Sequence, residues 1–455
     1  MEREKLSSRL GFILLSAGCA IGIGNVWKFP YMVGQYGGGF FVLIYAFFLV
    51  VMGVPVMTME FSLGRASGKS PAKLYQELES KNSKWHIHGY ASVVGNYILM
   101  MFYTVVSGWM IKYFVATAKG DFKGLDVKGI NKYYDGMLGD WKTLTFYTII
   151  VIAVGVLVCS IGLQKGLERV TKIMMIALLA VMVVLAGNSL LTEGGTEGLK
   201  FYIIPDVDRA MKIGIGNVIV GAMTQAFFTL SLGIGAMAIF GSYIDKKRAL
   251  MGEAVNVAIL DTFVAFSSGL IIFPACFAYG VNPDSGPGLI FKTLPNIFNN
   301  MTMGRVWGSL FFVFMSFAAL STILAVFENI IACVMDMTGW SRKKSCIVNG
   351  IALLVLSLPC ALGFNVLSDV RPFGGTSGIM DLEDFLVSNI LLPLGSLTYI
   401  IFCTRKIGWG WDNFTKEANT GDGIKVSNKM KFYMTYILPV MVFILFAYGL
   451  YSFFA

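Results

Sequence analysis

The chain has 455 residues, of which 56% are hydrophobic and only 14% are charged. This composition is typical of a polytopic helical membrane protein and excludes a soluble multidomain protein. The formal net charge of +9 does not indicate a nucleic-acid partner, because the basic residues lie in the loops between apolar segments.

Eleven apolar segments are long enough to cross a bilayer by the rule of about 20 residues per helix. They are 11–33, 39–64, 90–118, 143–163, 167–191, 216–241, 251–281, 304–338, 345–368, 382–404 and 431–454. With the N-terminus inside, the inner loops hold most of the lysines and arginines. We therefore expect a multi-pass protein of the cell membrane, with a cytoplasmic N-terminus and, from the odd number of spans, a C-terminus outside.

The first span contains an interruption at residues 16–25, with the sequence SAGCAIGIGN. Its three glycines weaken a helix, since each costs about 1 kcal/mol relative to alanine. An irregular backbone within a bilayer is tolerated only where it is buried in protein or lines a cavity. On its own this stretch is either a close helix-packing face or a break that offers backbone groups to a ligand.

Two features follow in the first half of the chain. Glu60, near the inner end of the second span, is a functional-site candidate by its depth. An acceptor for spare amides of a broken helix is the favoured interpretation. The loop 119–142 is polar and is expected outside, and the fifth span has no proline and is expected to be continuous.

The sixth span repeats the interruption of the first, because residues 224–235 read TQAFFTLSLGIG. Interrupted segments at matching positions of two halves are typical of transporters built from inverted repeats, with the binding site at the breaks. We therefore divide the chain into a first repeat, 1–191, a second inverted repeat, 192–404, and an inner loop with an additional span, 405–455.

The remaining spans add polar groups at the same depth. Asp261 lies near the middle of the seventh span, where a carboxylate costs at least about 2.5 kcal/mol and so needs a cation or donors. Ser321 and Thr322 lie in the middle of the eighth, although helix–helix hydrogen bonding alone would explain them. The loop 282–303 is a candidate lid on the outer face. All seven cysteines lie in or beside apolar segments without a CxxC pair, so neither disulfides nor zinc are expected.

These residues closely resemble the neurotransmitter:sodium symporter family. The motifs are RLG at 9–11, AIGIGNVWKFPY at 20–31, GGGF at 37–40, the segment from Pro55 to Glu60, GR at 64–65 and FFTLSLG at 227–233. The resemblance implies an all-α polytopic membrane protein with the leucine-transporter fold. It has a 5+5 inverted repeat, discontinuous helices 1 and 6, and eleven spans, as in the shorter prokaryotic members.

The resemblance also implies two sodium sites and a substrate site. The first sodium site would use Ala20, Asn25, Thr229 and Asp261 together with the substrate carboxylate. The second would use carbonyls of Gly18, Ile21 and Ala318 with the hydroxyls of Ser321 and Thr322. The substrate would contact Cys19, Gly22, Ile23, Gly24, Leu99, Tyr103, Phe228, Ser231, Ile234, Thr322 and Val326. Tyr103 and Phe228 would form an outer lid, Lys28 and Asp384 an outer ion-pair gate, and Arg3 and Asp336 an inner one.

Three departures from the family pattern matter. Lys28 stands where the family usually has Arg, so a bidentate gate is not available. Asp261 stands where the family more often has Asn. Chloride-dependent relatives bind the halide near positions 45, 225 and 229 and two positions of the seventh span, and the second of these is Ala265 here. Asp261 can supply the missing negative charge, so we expect chloride independence, with proton exchange on Asp261 left open. Ile176 stands where bacterial relatives often have proline, which puts unwinding of the fifth span in doubt.

The expected function is sodium-coupled symport of a hydrophobic or aromatic L-amino acid by alternating access. Gly22 favours an amino acid over an amine, because monoamine carriers of the family have Asp there, and Ile234 leaves room in an apolar pocket. The partners are the amino acid, sodium ions and the lipid bilayer. A sodium-independent channel or facilitator for small zwitterions is the alternative. An intramembrane enzyme is not expected, because the only histidines, His86 and His88, lie in an inner loop.

Overall fold

The computed structural model describes residues 4–280 and 288–454, and every regular element in these ranges is helical. The helices are α1 (Arg9–Ala20), α2 (Gly24–Gln35), α3 (Gly39–Ser67), α4 (Pro71–Leu78), α5 (His86–Lys119), α6 (Val127–Gly139), α7 (Trp141–Ile161), α8 (Leu163–Leu190), α9 (Thr196–Ile203), α10 (Val207–Ile213), α11 (Ile215–Thr229), α12 (Ala236–Gly241), α13 (Leu250–Ala278), α14 (Leu289–Thr293 continued by Leu294–Asn300), α15 (Gly304–Thr338), α16 (Arg342–Leu362), α17 (Ile379–Thr404), α18 (Trp411–Ala418) and α19 (Asn428–Phe453).

Within these described ranges, nine helices are long and apolar enough to cross a membrane. Two bent helix pairs, counted as one span each, bring the number to the predicted eleven. Helices α1 and α2 form the first span, with a bend of 56° between them. The second pair is α10 and α11, which meet at 95°, so that α10 lies across the start of α11. Helix α12 follows α11 after the interruption at residues 230–235. The division into repeats at 191 and 404 stays a prediction.

Both predicted breaks are present, and their backbone shows why the helices stop. Helix α1 ends at Ala20, because Ile21 is extended with ψ 101°. Between α11 and α12, Ser231, Gly233 and Gly235 all have positive φ, which a right-handed helix cannot include. The Glu60 carboxylate accepts the Gly233 N–H at 2.6 Å. Glu60 is thus the acceptor for a freed amide of a broken helix, as the favoured interpretation predicted.

Wide π-helical turns precede five of the prolines. They cover Gly24–Lys28, Leu49–Gly53, Leu289–Thr293, Leu386–Leu391 and Tyr433–Ile437, and each ends two residues before a proline. Proline has no N–H and its ring clashes with the carbonyl four residues earlier, and widening the turn relieves that clash. The carbonyl of Val51, four residues before Pro55, instead accepts the Tyr433 hydroxyl at 2.6 Å. Pro274 and Pro359 lie inside helices without such a turn.

Two loops differ from the sequence-based expectation. The polar loop 119–142 contains α6, which Asp126 caps by accepting the Gly129 N–H at 2.8 Å. Ile130, Tyr134 and Met137 recur at helical spacing and are buried, which fixes this helix on the bundle. Residues 282–287 of the candidate lid lie outside the described residues, and the remainder contains α14, whose first turn buries Leu289, Ile290 and Phe291. Its role as a lid stays a prediction.

The fifth span, α8, is continuous from Leu163 to Leu190, as predicted. Its first turn is wide, and Gly162 with φ 118° separates it from α7. Ile176 points outwards with 52% of its surface exposed. Helices α1, α5, α13 and α15 pack together at the centre of the bundle and carry the polar residues described next. We call the end that bears the N-terminus the inner face and the opposite end the outer face.

Candidate functional site

Buried oxygens crowd around Thr322, where α15 passes the end of α1. The Thr322 hydroxyl lies 3.3 Å from the carbonyl oxygens of Gly18 and Ile21, and 3.4 Å from those of Cys19 and Ala318. The Ser321 hydroxyl lies 3.0 Å from the Ala318 carbonyl and 3.4 Å from that of Ile21. All five residues of the predicted second sodium site therefore meet at one point.

This cluster has more acceptors than donors. One hydroxyl proton on Thr322 faces four carbonyl oxygens, so it cannot satisfy them all. Oxygens 3.4 Å apart that subtend a right angle at an ion each lie about 2.4 Å from it, which is a normal length for a hard cation bound by oxygen. The donor set and its spacing thus fit a small hard cation.

A second polar cluster surrounds Asp261, which is completely buried in α13. Its carboxylate accepts hydrogen bonds from the Asn25 amide at 2.7 Å, the Thr229 hydroxyl at 3.0 Å and the Tyr45 hydroxyl at 3.4 Å. The Asn25 side-chain oxygen in turn accepts the Gly22 N–H at 3.1 Å. Three of the four predicted ligands of the first sodium site are directly linked, and Ala20 lies where α1 ends.

Gln225 and Ala265, from the region for which the family resemblance raised chloride binding, are also buried. The Gln225 amide nitrogen lies 3.5 Å from the Gly24 carbonyl, while its side-chain oxygen has no hydrogen-bond partner among the described residues. Ala265 has no donor group. The Asp261 carboxylate lies beside Tyr45 and Thr229 in this region and provides a negative charge there.

A cavity of about 30 Å³ lies between the two breaks. Nine of the predicted substrate residues line it: Cys19, Gly22, Gly24, Leu99, Tyr103, Phe228, Ser231, Ile234 and Thr322. Ile23 and Val326 do not line it, since Ile23 faces an outer cavity and Val326 is buried in α15. A cavity of this size holds about one water molecule, so a larger ligand requires it to widen.

Two lining residues of this cavity, Val387 and Leu392, are missing from the sequence-based prediction. They lie in and just after the wide turn of α17, ahead of Pro393. Wide turns are frequent at functional sites. A proline in the middle of the tenth span is the sequence signal that indicates them.

Tyr103 joins the cavity to the break in α1. Its hydroxyl oxygen accepts the Ile23 N–H at 2.9 Å. A methyl group added at Gly22 would lie 2.4 Å from that oxygen and 2.8 Å from the Thr322 hydroxyl oxygen. A side chain at position 22 would therefore require Tyr103 and Thr322 to move, which favours glycine there.

An outer cavity of about 320 Å³ opens above this site. Tyr103 and Phe228 line both cavities and so lie between them. The Lys28 ammonium sits 3.7 Å from the centre of the Phe228 ring. Lys28 and Asp384 both line the outer cavity, but among the described residues they do not approach within 4.0 Å, so the predicted outer ion pair is not formed in this conformation.

The inner face is tied together by polar contacts. Glu168 accepts hydrogen bonds from the Ser7 hydroxyl at 2.7 Å and the Ser8 hydroxyl at 3.1 Å. Arg9 pairs with Glu253 at 2.9 Å. The predicted inner gate lies partly outside the described residues, because Arg3 precedes residue 4. Asp336, its proposed partner, accepts the Ser70 N–H at 2.7 Å.

A deeper inner contact centres on Glu328, which is fully buried. It accepts the Tyr243 hydroxyl at 2.6 Å and pairs with Arg342. Together with the N-terminal contacts, this closes the inner face while the outer cavity reaches Tyr103 and Phe228. Within residues 4–280 and 288–454, there is no cluster of three His, Cys, Asp or Glu side chains that could bind a metal. The polar groups at the two breaks include the Asp261 carboxylate and the Asn25 side-chain oxygen beside carbonyl and hydroxyl oxygens.

Known proteins are similar to this chain over nearly its whole length. The model of the sodium:neurotransmitter symporter family matches residues 3–124 and 127–455. An uncharacterized sodium-dependent transporter of Bacillus subtilis, YhdH, is 33% identical over 97% of this chain and 96% of its own length. The human sodium- and chloride-dependent taurine transporter is 25% identical over 97% of this chain and 77% of its own length.

A solved structure is similar throughout. The crystal structure of MhsT in complex with L-phenylalanine matches with a TM-score of 0.87 and 35% identity, covering 98% of this chain and 100% of that one. This match confirms the expected leucine-transporter fold. On the evidence of the two broken spans, the oxygen clusters beside them and these matches, the chain belongs to the sodium:neurotransmitter symporter family of sodium-dependent membrane transporters, and is not an enzyme.

Proposed function

We propose that this protein uses the sodium gradient to take up a hydrophobic or aromatic L-amino acid by alternating access. The observation that carries the proposal is the break at residues 21–23. On one side it presents the carbonyls of Gly18 and Ile21 to Thr322, and on the other it borders the small cavity with Gly22 and Gly24. Carbonyls at the end of a helix attract cations, and free amides at a helix start attract carboxylates.

Two sodium ions would bind beside the substrate. One ion would bind the hydroxyl oxygens of Thr322 and Ser321 and the carbonyl oxygens that face them. The other would lie against Asp261, Asn25, Thr229 and the Ala20 carbonyl. Two sodium ions that cross about 100 mV and a tenfold gradient release about 7 kcal/mol. This energy limits accumulation of a zwitterion to about 10⁵-fold, since each 1.4 kcal/mol is a factor of ten.

The substrate would be an α-amino acid with an apolar side chain. Its carboxylate would lie beside Gly22, where the missing side chain leaves the Asn25 and Tyr103 groups accessible. Its side chain would enter the apolar end of the cavity, between Leu99, Ile234 and Val387. MhsT was crystallised with L-phenylalanine, which is an amino acid of this class. Entry would occur from the outer cavity, by movement of Tyr103 and Phe228.

Transport would not require chloride. The human taurine transporter is sodium- and chloride-dependent. In this chain the Asp261 carboxylate supplies a fixed negative charge next to Thr229 and Tyr45, and Ala265 cannot donate to a halide. The same carboxylate could carry a proton on the return step, which would alter the charge moved in each cycle.

Orientation follows from charge. The inner face holds most of the lysines and arginines, so we assign it to the cytoplasm and the outer cavity to the exterior.

Uptake into proteoliposomes tests the function. We expect saturable accumulation of labelled L-phenylalanine or another apolar amino acid with sodium outside, none with choline outside, and unchanged uptake when gluconate replaces chloride. Uptake that does not depend on sodium would contradict the proposal, and flux that does not saturate would support a channel. A thermal-shift screen of the twenty amino acids with and without sodium would identify the substrate.

A further inference from the structure

A separate cavity of about 1150 Å³ lies at the inner face, far along the chain from the two breaks. Its walls are the end of α17, the start of α19 and the connecting segment that includes α18. None of its lining residues takes part in the site described above.

The walls of this cavity are basic. Arg405, Lys406, Lys429 and Lys431 line it, against a single acid, Asp412. Among the described residues, none of these four cations comes within 4.0 Å of a carboxylate. Arg405 is held over the Tyr436 ring, with its guanidinium carbon 4.4 Å from the ring centre. Four cations without counter-ions around one cavity fit a ligand with negative charge.

A buried hydroxyl without a hydrogen-bond partner borders this cavity. Thr435 lines it and is only 5% exposed, yet its hydroxyl has no hydrogen-bond partner in the described part of the chain. A buried hydroxyl without a partner costs free energy, which a bound acceptor would recover. A phosphate ester offers such acceptor oxygens together with the negative charge.

The rim of the cavity is apolar, and this apolar surface continues along the exposed side of α19. Phe432 is 66% exposed and Tyr436, one turn on, is 51% exposed. Val440 lies a further turn along the same face, and Ile437 is exposed beside it. Trp409 and Trp411 also line the cavity. Aromatic residues at this level are typical of the membrane–water interface. A freely dissolved anion would make no use of this apolar surface, whereas the acyl chains of a lipid would.

We propose that this cavity binds the headgroup of an anionic phospholipid from the leaflet on the N-terminal side. The phosphate would lie among Arg405, Lys406, Lys429 and Lys431 and accept the Thr435 hydroxyl, and the acyl chains would lie along Phe432 and Tyr436. Basic pockets between membrane helices are known to bind such headgroups. The lipid would hold the segment 405–431, in which Glu417 of α18 pairs with Arg65 at 2.6 Å. Neither sodium nor the amino acid is involved in this site.

Lipid titration of the purified full-length protein tests the site, with bound phosphatidylglycerol and phosphatidylcholine counted by native mass spectrometry. We expect tight phosphatidylglycerol binding by the wild type, with phosphatidylcholine binding no tighter than to other surfaces. In the variant K406Q/K429Q/K431Q, affinity for phosphatidylglycerol should fall about 100-fold, since each interfacial lysine contributes about fivefold.

Three other inner lysines that do not line the cavity provide the matched control. The variant K343Q/K416Q/K425Q carries the same change of charge and should bind phosphatidylglycerol like the wild type. Thr435→Val keeps the shape of the side chain, and its affinity should fall about tenfold through loss of one hydrogen bond to a charged group. This second variant tests the site even if the triple variant does not fold.

Equal phosphatidylglycerol binding by the wild type and the Thr435→Val and K406Q/K429Q/K431Q variants would overturn the proposal. An equal loss in both triple variants would also overturn it, because the effect would then be one of overall charge. Displacement of phosphatidylglycerol by inorganic phosphate at similar concentration would show that the site binds a soluble anion instead.

Discussion

Replacing Gly22 with alanine should selectively damage amino-acid binding. The new methyl group would lie 2.4 Å from the Tyr103 hydroxyl oxygen and 2.8 Å from that of Thr322, whereas the nearest ring carbon of Tyr103 is 3.6 Å away. Tyr103 cannot move freely, because its oxygen accepts the Ile23 N–H. The side chains must therefore shift into the cavity of about 30 Å³ that the substrate has to enter.

The expected cost follows from this overlap. An extra methyl group in a filled site costs about 1–3 kcal/mol. If that cost falls on the bound state, amino-acid affinity decreases by about 5- to 150-fold. Equilibrium binding of tritiated L-phenylalanine at saturating sodium measures this loss. Gly187→Ala is the matched control, because a methyl group there meets nothing within 4 Å, and it should bind like the wild type.

A second substitution tests the cause. Tyr103→Phe removes the oxygen at 2.4 Å and should recover part of the affinity lost in Gly22→Ala. Since Tyr103→Phe also removes the hydrogen bond to Ile23, about 0.5–1.5 kcal/mol, the coupling energy of the double-mutant cycle is the informative quantity. Wild-type affinity in Gly22→Ala, or strictly additive effects in the cycle, would refute the reasoning.

Four further outcomes are expected. Thr322→Val should raise the half-saturating sodium concentration at least tenfold, through loss of a charge-binding hydroxyl, whereas Ser316→Ala on the same helix should not. Asp261→Asn should reduce uptake in gluconate, and full chloride-free uptake by this variant would contradict the role of its charge. Glu60→Met should be less stable than Glu60→Gln by about 1–3 kcal/mol and should unfold at a lower temperature, because only glutamine can still accept the Gly233 N–H. Asp140 caps the start of α7 by accepting the Lys142 and Thr143 N–H groups, so Asp140→Ala should lose about 1 kcal/mol of stability at neutral pH. The hydrogen bond from the Thr143 side chain lowers the pKa of Asp140, so this difference in thermal stability should disappear as the pH falls below about 4.

The amino-acid sequence predicts the framework of the site well, because its strongest signals come from residues that are costly in a bilayer. A lipid-spanning helix loses free energy with each of the glycines at 18, 22 and 24 and with the buried Asp261. Their positions are therefore informative. The hydroxyls of Ser321 and Thr322 indicate a binding site only in combination with the broken first span, because helix–helix hydrogen bonding alone would explain them. Their convergence on Gly18 and Ile21 in the structure agrees with that interpretation.

Other features depend on tertiary contacts that no local pattern encodes. The ammonium of Lys28 lies over the Phe228 ring and not beside Asp384. The flexible lysine side chain allows its compact charge to reach either group. Helix α6 gains its stability from three buried side chains within a segment of polar composition. Val387 and Leu392 enter the cavity through a distorted turn, which a search for regular helical periodicity cannot detect.

That turn has a geometric consequence for α17. In a regular helix each residue advances by about 100°, so positions eight apart differ by about 80° around the axis. A wide turn accommodates one additional residue, which brings positions 384 and 392 to within about 20° of each other. Asp384, which lines the outer cavity, and Leu392, which lines the small cavity between the two breaks, are thereby aligned along a single edge of the helix. The wide turn before Pro393 thus shifts the helical register by one residue, so that one edge of α17 faces both cavities. A regular helix of the same residues would place Asp384 and Leu392 on different edges.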